Sequence, residues 1–178
     1  MVTLAYATRH PGHPGKLILV STEAAGTSHP KRRVALFERL GGPEVGALAR
    51  RRFIKGKLDA ADLEAWGRLA FPFYTRTRRH LQAVQRAIRR ADVNPWFARQ
   101  GGEGRTFDFF PELSRIQCPT LVLGGEDDPM TPIECQEDIV AALPAHLVRF
   151  ERFPNCGHSL IADEPERVFA VIRSFIGQ

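Results

Sequence analysis

Short apolar runs closed by Gly- and Pro-rich turns alternate along this chain with longer stretches of helical periodicity. Lys16-Leu17-Ile18-Leu19-Val20-Ser21 is nearly continuous in apolar character, as a strand buried on both faces of a parallel sheet would be. Thr120-Leu121-Val122-Leu123-Gly124 repeats that signature, approached through Leu113 to Pro119. Leu147 to Phe153 alternates apolar and polar residues, which predicts a strand with one solvated face.

Helices fill the intervals. Residues 1 to 9 read as a helix, stopped by His10-Pro11-Gly12-His13-Pro14-Gly15, because Pro cannot continue a helix. From Pro30, Val34, Leu36, Phe37 and Leu40 share one face, and Gly41-Gly42 predicts an end. Pro43 suits the first position of a second helix running towards Arg52 and Phe53. Asp59 is a predicted N-cap for a third, carrying Leu63, Trp66 and Leu69. A fourth, Thr75 to Arg90, spaces Leu81, Val84 and Ile88 by three and four. Gly101 to Gly104 reads as a flexible exit. Pro132 to Leu143 is predicted helical, as is Pro165 to Ile176, with Val168, Phe169, Val171, Ile172 and Phe175 inward. The order predicts a parallel α/β fold of about three strands, with a helical insertion after the first.

Charge sharpens the division. Residues 31 to 105 hold 18 of the 25 Lys and Arg but 7 of the 20 Asp and Glu, a net of +11 within a chain of +5. Such asymmetry marks a segment with its own exposed surface. At 178 residues and 43% apolar composition, one soluble globular domain with a subdomain is expected. No apolar run approaches the roughly 20 residues that span a bilayer. Cys118, Cys135 and Cys156 are odd in number and lack metal-ligand spacing, so packed, reduced thiols and a cytoplasmic location are expected. No metal, cofactor, membrane or nucleic-acid partner is implied.

The chemistry-bearing residues stand at the ends of two predicted strands. Asp128 lies in Gly125-Glu126-Asp127-Asp128-Pro129, after one strand, and His158 follows Gly157 after the next. Strand ends line the ligand crevice of an open parallel sheet. An imidazole there suits a general base, and a carboxylate suits the group that fixes its tautomer. Taken singly, an Asp in a Gly/Pro turn more often makes an Asx-turn, and Asp127 competes with Asp128 for the role. Glu126 reads as solvated.

From Cys118 to Phe175 the chain resembles the α/β-hydrolase fold family, in particular its proline iminopeptidase-like group. Cys118-Pro119-Thr120-Leu121-Val122-Leu123-Gly124-Gly125-Glu126-Asp127-Asp128-Pro129 is similar to the family's acid-bearing strand and turn. The spacing from Gly125 and to Pro132 selects Asp128. Phe153-Pro154-Asn155-Cys156-Gly157-His158-Ser159 is similar to the catalytic-His loop, and Asp163 to Val168 to the start of the last helix. The resemblance implies two core segments, residues 1–29 and 105–178, around a helical cap, residues 30–104. It implies hydrolysis of an acyl ester or amide by a Ser-His-Asp mechanism, with a small-molecule or peptide substrate. Trp66, Phe71, Phe73 and Tyr74 become candidate substrate-lining residues. A peptidase of this group needs carboxylates for the substrate's amino group, and Glu38, Glu44, Asp62 and Glu64 are the cap's candidates.

The nucleophile departs from the pattern. The helix of residues 1 to 9 resembles the one behind the G-x-S-x-G elbow, so the Ser is expected about four residues before Met1. No G-x-S-x-G or G-x-C-x-G occurs, and Gly26-Thr27-Ser28-His29-Pro30 lacks the closing Gly. The expectation is a C-terminal portion of such an enzyme, inactive alone, with an exposed edge at Leu17–Val20 that self-associates or recruits a partner. The alternatives are a degenerate, non-catalytic fragment, or a basic module in which Arg50-Arg51-Arg52, Arg76, Arg78-Arg79 and Arg89-Arg90 bind phosphates.

Overall fold

A computed structural model describes residues 1–26, 28–77, 96–97 and 101–177. Three parallel strands form one sheet in the order β1 (Leu17–Val20), β2 (Thr120–Gly125) and β3 (Val148–Phe153). Leu17 lies opposite Thr120, and Val20 opposite Leu123. Thr120 lies opposite Val148, and Gly125 opposite Phe153. The central strand β2 is buried along its whole length, as its unbroken apolar run requires.

Helices cover both faces. On one, α1 (Val2–Arg9) and α5 (Ile133–Ala142) bring Leu4, Ala7 and Ile139 against Leu17, Leu19 and Val122. On the other, α6 (Leu160–Asp163) and α7 (Pro165–Ile176) bring Leu160, Val168 and Phe175 against Leu121, Leu123 and Phe153. The inward stripe of α7 is 168, 171, 172 and 175. Phe169 falls about 100° from its neighbour Val168 and is 43% exposed, contrary to its expected inward position. β3 also departs from expectation, since Val148 to Glu151 are all half-buried. Arg149 and Glu151 pair at 2.9 Å on the face that α7 covers, and Ser174 of that helix lies 3.5 Å from Arg149. The polar residues are thus sheltered by a helix rather than solvated.

Between β1 and β2 the chain builds a helical insertion with its own core of Val34, Phe37, Leu48, Trp66 and Ala70. Helix α2 (Pro30–Arg50) contains the expected break as a kink, not an end. Gly42 takes φ 82°, a conformation open to Gly, and Pro43 after it supplies no backbone N–H. A π-helical turn, Arg51–Lys55, follows and is closed by Gly56 at φ 66°. The expected cap appears at α3 (Ala60–Ala65), where Asp59 accepts the Asp62 N–H at 2.7 Å. That helix passes into a second π turn, Trp66–Ala70, and a 3₁₀ turn, Phe71–Tyr74. Of the expected helix Thr75 to Arg90, Thr75 is extended and residues 78–90 lie outside the described residues, Leu81, Val84, Ile88, Arg78-Arg79 and Arg89-Arg90 among them. The expected glycine exit contains a short helix, α4 (Glu103–Thr106), in which a Cβ on Gly104 would stand 2.9 Å from the Phe97 carbonyl.

The tip of β2 has no room for a side chain. A Cβ at Gly125 would fall 2.4 Å from the Cys156 carbonyl oxygen and 2.5 Å from that of Gly157. Gly125→Ala should therefore separate the two strand ends and cost about 2–3 kcal/mol, the upper range for overpacking. Urea denaturation checks this, and a variant of unchanged midpoint would show that the tip can yield.

Candidate functional site

The site begins where β2 and β3 stop. The Glu126 N–H donates to the Phe153 carbonyl at 3.1 Å and the Asp127 N–H to that of Cys156 at 3.0 Å, so the two following loops are stitched together. Asp128 turns inward and is 0% exposed. Its Oδ1 accepts the backbone N–H groups of Met130 at 2.7 Å and Thr131 at 2.9 Å. Its Oδ2 accepts the Thr131 hydroxyl at 2.7 Å and His158 Nδ1 at 2.9 Å. The Asx-turn and the imidazole contact coexist on one carboxylate. Asp127, the competing acid, is drawn off by Arg39 at 2.5 Å and Arg76 at 3.6 Å.

His158 keeps about a third of its side chain exposed, 32%. Asn155 takes φ 58° to turn the loop. Gly157 does not need a positive φ; it is required by close approach, since a Cβ there would lie 2.7 Å from the Tyr74 carbonyl. The carboxylate of Asp163 completes the support. It accepts the N–H groups of Gly157 at 2.8 Å, Arg76 at 2.8 Å and Thr77 at 2.9 Å. The Ser159 N–H donates to the Tyr74 carbonyl at 3.1 Å. Asp163 was legible only as part of a helix start, because its role lies in backbone groups far away in sequence.

Burial is the largest influence on the His158 imidazole and pulls its pKa down. The hydrogen bond to Asp128, the charge of Asp128 and that of Glu23 outweigh burial and the nearby Arg33, so the net movement is upward from 6.5. Glu23 and Arg33 form a buried ion pair, with Arg33 Nε also donating to the Ser28 carbonyl at 2.9 Å. Burial raises the Glu23 carboxyl, against the pull of Arg33. Neither was singled out from sequence, where Arg33 stands in a Lys-Arg-Arg run. Cys156 and Cys135 are free and buried, and burial pushes their thiols up to about 11 and about 12. They stay protonated at neutral pH, which fits packing better than nucleophilic chemistry.

Among the four aromatic candidates, Tyr74 meets His158 edge-on, with ring centroids 5.8 Å apart. Trp66 Nε1 donates to the Tyr74 hydroxyl at 3.0 Å, and the Phe71 ring lies tilted against that of Tyr74, centroids 4.8 Å apart. Phe73 packs within the insertion, where a Cβ on Gly41 would lie 2.6 Å from its ring. Glu38 is ion-paired with Arg50 at 3.9 Å and Asp62 with Arg51 at 2.8 Å, while Glu44 and Glu64 are exposed. Among the described residues no three His, Cys, Asp or Glu side chains group as metal ligands would. None of their helices is long and apolar enough to cross a membrane.

Comparison with known proteins gives a consistent picture. Residues 1–171 match the family model described as the alpha/beta hydrolase family. A stretch of 71 residues is 32% identical to the 2-hydroxy-6-oxononadienedioate/2-hydroxy-6-oxononatrienedioate hydrolase of Paraburkholderia phymatum, covering 40% of this chain and 24% of that protein. Another, of 79 residues, is 25% identical to the proline iminopeptidase of Lactobacillus crispatus, covering 43% and 25%. The fold superposes on the crystal structure of proline iminopeptidase from Mycobacterium smegmatis with a TM-score of 0.76 at 21% identity, over 100% of this chain and 62% of that one. The matched stretches thus span about a quarter of the curated relatives, and the chain about three fifths of the solved structure.

The pair makes a titration prediction. His158 should titrate above 6.5 by NMR, and Asp128→Asn should lower its midpoint, since burial and Arg33 then act with less opposition. A group whose folded pKa is raised stabilises fully below its unfolded value and loses that contribution as pH rises through its folded value. The stability advantage over Asp128→Asn should therefore include a part that fades from just below pH 6.5 upward. Identical imidazole titrations in the two proteins would contradict it.

Proposed function

We propose a function from one premise: this chain belongs to the alpha/beta hydrolase family. The chain contributes the proton-handling half of a serine-type hydrolytic site that cleaves an acyl ester or amide. The carrying observation is the 2.9 Å contact of Asp128 Oδ2 with His158 Nδ1 across neighbouring strand ends. With Nδ1–H held by the buried carboxylate, Nε2 takes the proton of an attacking hydroxyl and returns it to the leaving group. Asp128 stabilises the imidazolium between those steps. The hydroxyl belongs to a G-x-S-x-G elbow borne outside these 178 residues, which do not contain that motif.

The helical insertion serves as a cap over the pair, with Tyr74, Trp66, Phe71 and Phe73 as lining. Names of two relatives, a dienedioate/trienedioate hydrolase and a proline iminopeptidase, suggest two substrate classes, a dioate and a peptide. Glu38 and Asp62 are engaged by Arg50 and Arg51, which leaves them poorly suited to hold a substrate's amino group. Glu44 and Glu64, both exposed, remain the cap's candidates for that role. The phosphate-binding alternative is weakened likewise, because Arg50, Arg51 and Arg76 each face a carboxylate.

Fusing a G-x-S-x-G elbow segment of the family ahead of Met1 should yield hydrolysis of a p-nitrophenyl ester. His158→Ala should then reduce kcat by roughly 10³-fold or more. Full activity in that variant would remove His158 from the mechanism. Among the described residues β1 pairs on one side only, with β2. Its other side is the proposed seat of a completing segment or a second copy, since open apolar edges recruit strands. Light scattering should find the 178-residue chain associated, and a monomer that binds no apolar dye would count against this.

A further inference from the structure

Among the described residues of the insertion, Arg52 is a half-buried guanidinium with neither a carboxylate nor a hydrogen-bond acceptor against it. Arg32, Arg33, Arg39, Arg50, Arg51 and Arg76 each contact a carboxylate. Arg52 does not, and among the described residues it has no hydrogen-bond acceptor either. Its Cζ stands 4.5 Å from the Trp66 ring centroid and 5.6 Å from that of Phe53. The two π-helical turns bring this about: Arg52 lies in the first and Trp66 opens the second. π turns are concentrated at functional sites.

This cation is wired to the candidate site. Trp66, the ring beneath it, donates to the Tyr74 hydroxyl at 3.0 Å, and Tyr74 packs on His158. Phe53 carries Arg33 at 5.2 Å as well, but Arg33 is already matched by Glu23. One positive charge is therefore left uncompensated on an aromatic wall, where partial desolvation makes an unpaired charge costly. A ring quadrupole offsets that only in part.

We propose that Arg52 is a subsite for the carboxylate of an anionic acyl substrate. The proposal rests on the hydrolase reading above and names its substrate class. The planar guanidinium offers two parallel N–H donors, which match one carboxylate. A phosphate dianion calls for a second cation, and Arg33, which shares the Phe53 ring with Arg52, is taken by Glu23. Contact with the Trp66 ring already restricts the side chain, so less rotamer freedom remains to be lost on binding.

Binding, rather than turnover, tests this. The 178-residue chain is titrated by calorimetry with monomethyl glutarate and with dimethyl glutarate, which differ by one carboxylate. The monoanion should bind about tenfold or more tightly than the diester, and Arg52→Met should erase that preference while leaving diester affinity within about twofold. Arg52→Lys should retain part of it, which separates lost charge from lost packing. Equal binding of the two probes, no binding of either, or a preference that survives in Arg52→Met overturns the subsite. Stronger displacement of monomethyl glutarate by inorganic phosphate than by acetate overturns the carboxylate assignment. His158→Ala should keep the preference, so failure of the proton relay and failure of the subsite are read apart.

Discussion

A fully buried carboxylate is the constraint around which this structure is organised. Asp128 can stay inside only because every acceptor site it offers is used, by two backbone N–H groups, a hydroxyl and an imidazole. Supplying those donors fixes the Pro129–Thr131 turn, the separation of β2 from β3 and the rotamer of His158. Leaving one unmade would expose the desolvation cost of the charge. The same arrangement that keeps the turn stable sets the imidazole's tautomer, so folding and chemistry share one set of hydrogen bonds.

The insertion is fastened to that core by charges and backbone, not by apolar packing alone. Arg39 and Arg76 hold Asp127, the immediate neighbour of Asp128. Asp163 collects N–H groups from both the insertion and the His158 loop. Tyr74 supplies a carbonyl to the loop and a ring to the imidazole. These contacts make the helical segment a structural partner of the site, with Arg32, Arg33, Arg39, Arg50, Arg51 and Arg76 facing carboxylates of its own or of the core.

Legibility in the sequence followed the range of the forces involved. β2 was plain because burial on both faces demands an unbroken apolar run, as Leu121–Leu123 shows, and β1 carries a like run although Ile18 and Val20 are only half-buried. The approach of Asp128 to His158 was foreshadowed by two strand ends and by the family-like spacing that set Asp128 ahead of Asp127. β3 misled, since its alternation foretold solvent where α7 in fact covers Arg149 and Glu151. Phe169 misled because an apolar residue next to the stripe looks like part of it. The π turns, the Glu23–Arg33 pair and the Asp163 carboxylate were invisible. Each depends on residues that only the folded chain brings together.

The reach of Asp163 has a kinetic meaning. Its carboxylate joins N–H groups 86 and 87 positions earlier in the chain to Gly157, only six away. Closing so long a loop carries an entropic cost that local turns avoid, and such pairings form late. β2, β3 and their helices can assemble before that closure, but the loop bearing the imidazole is not braced until the distant segment arrives. Bracing of the His158 loop is thus expected to follow the local pairing of β2 with β3, together with the still longer-range docking of β1 on β2.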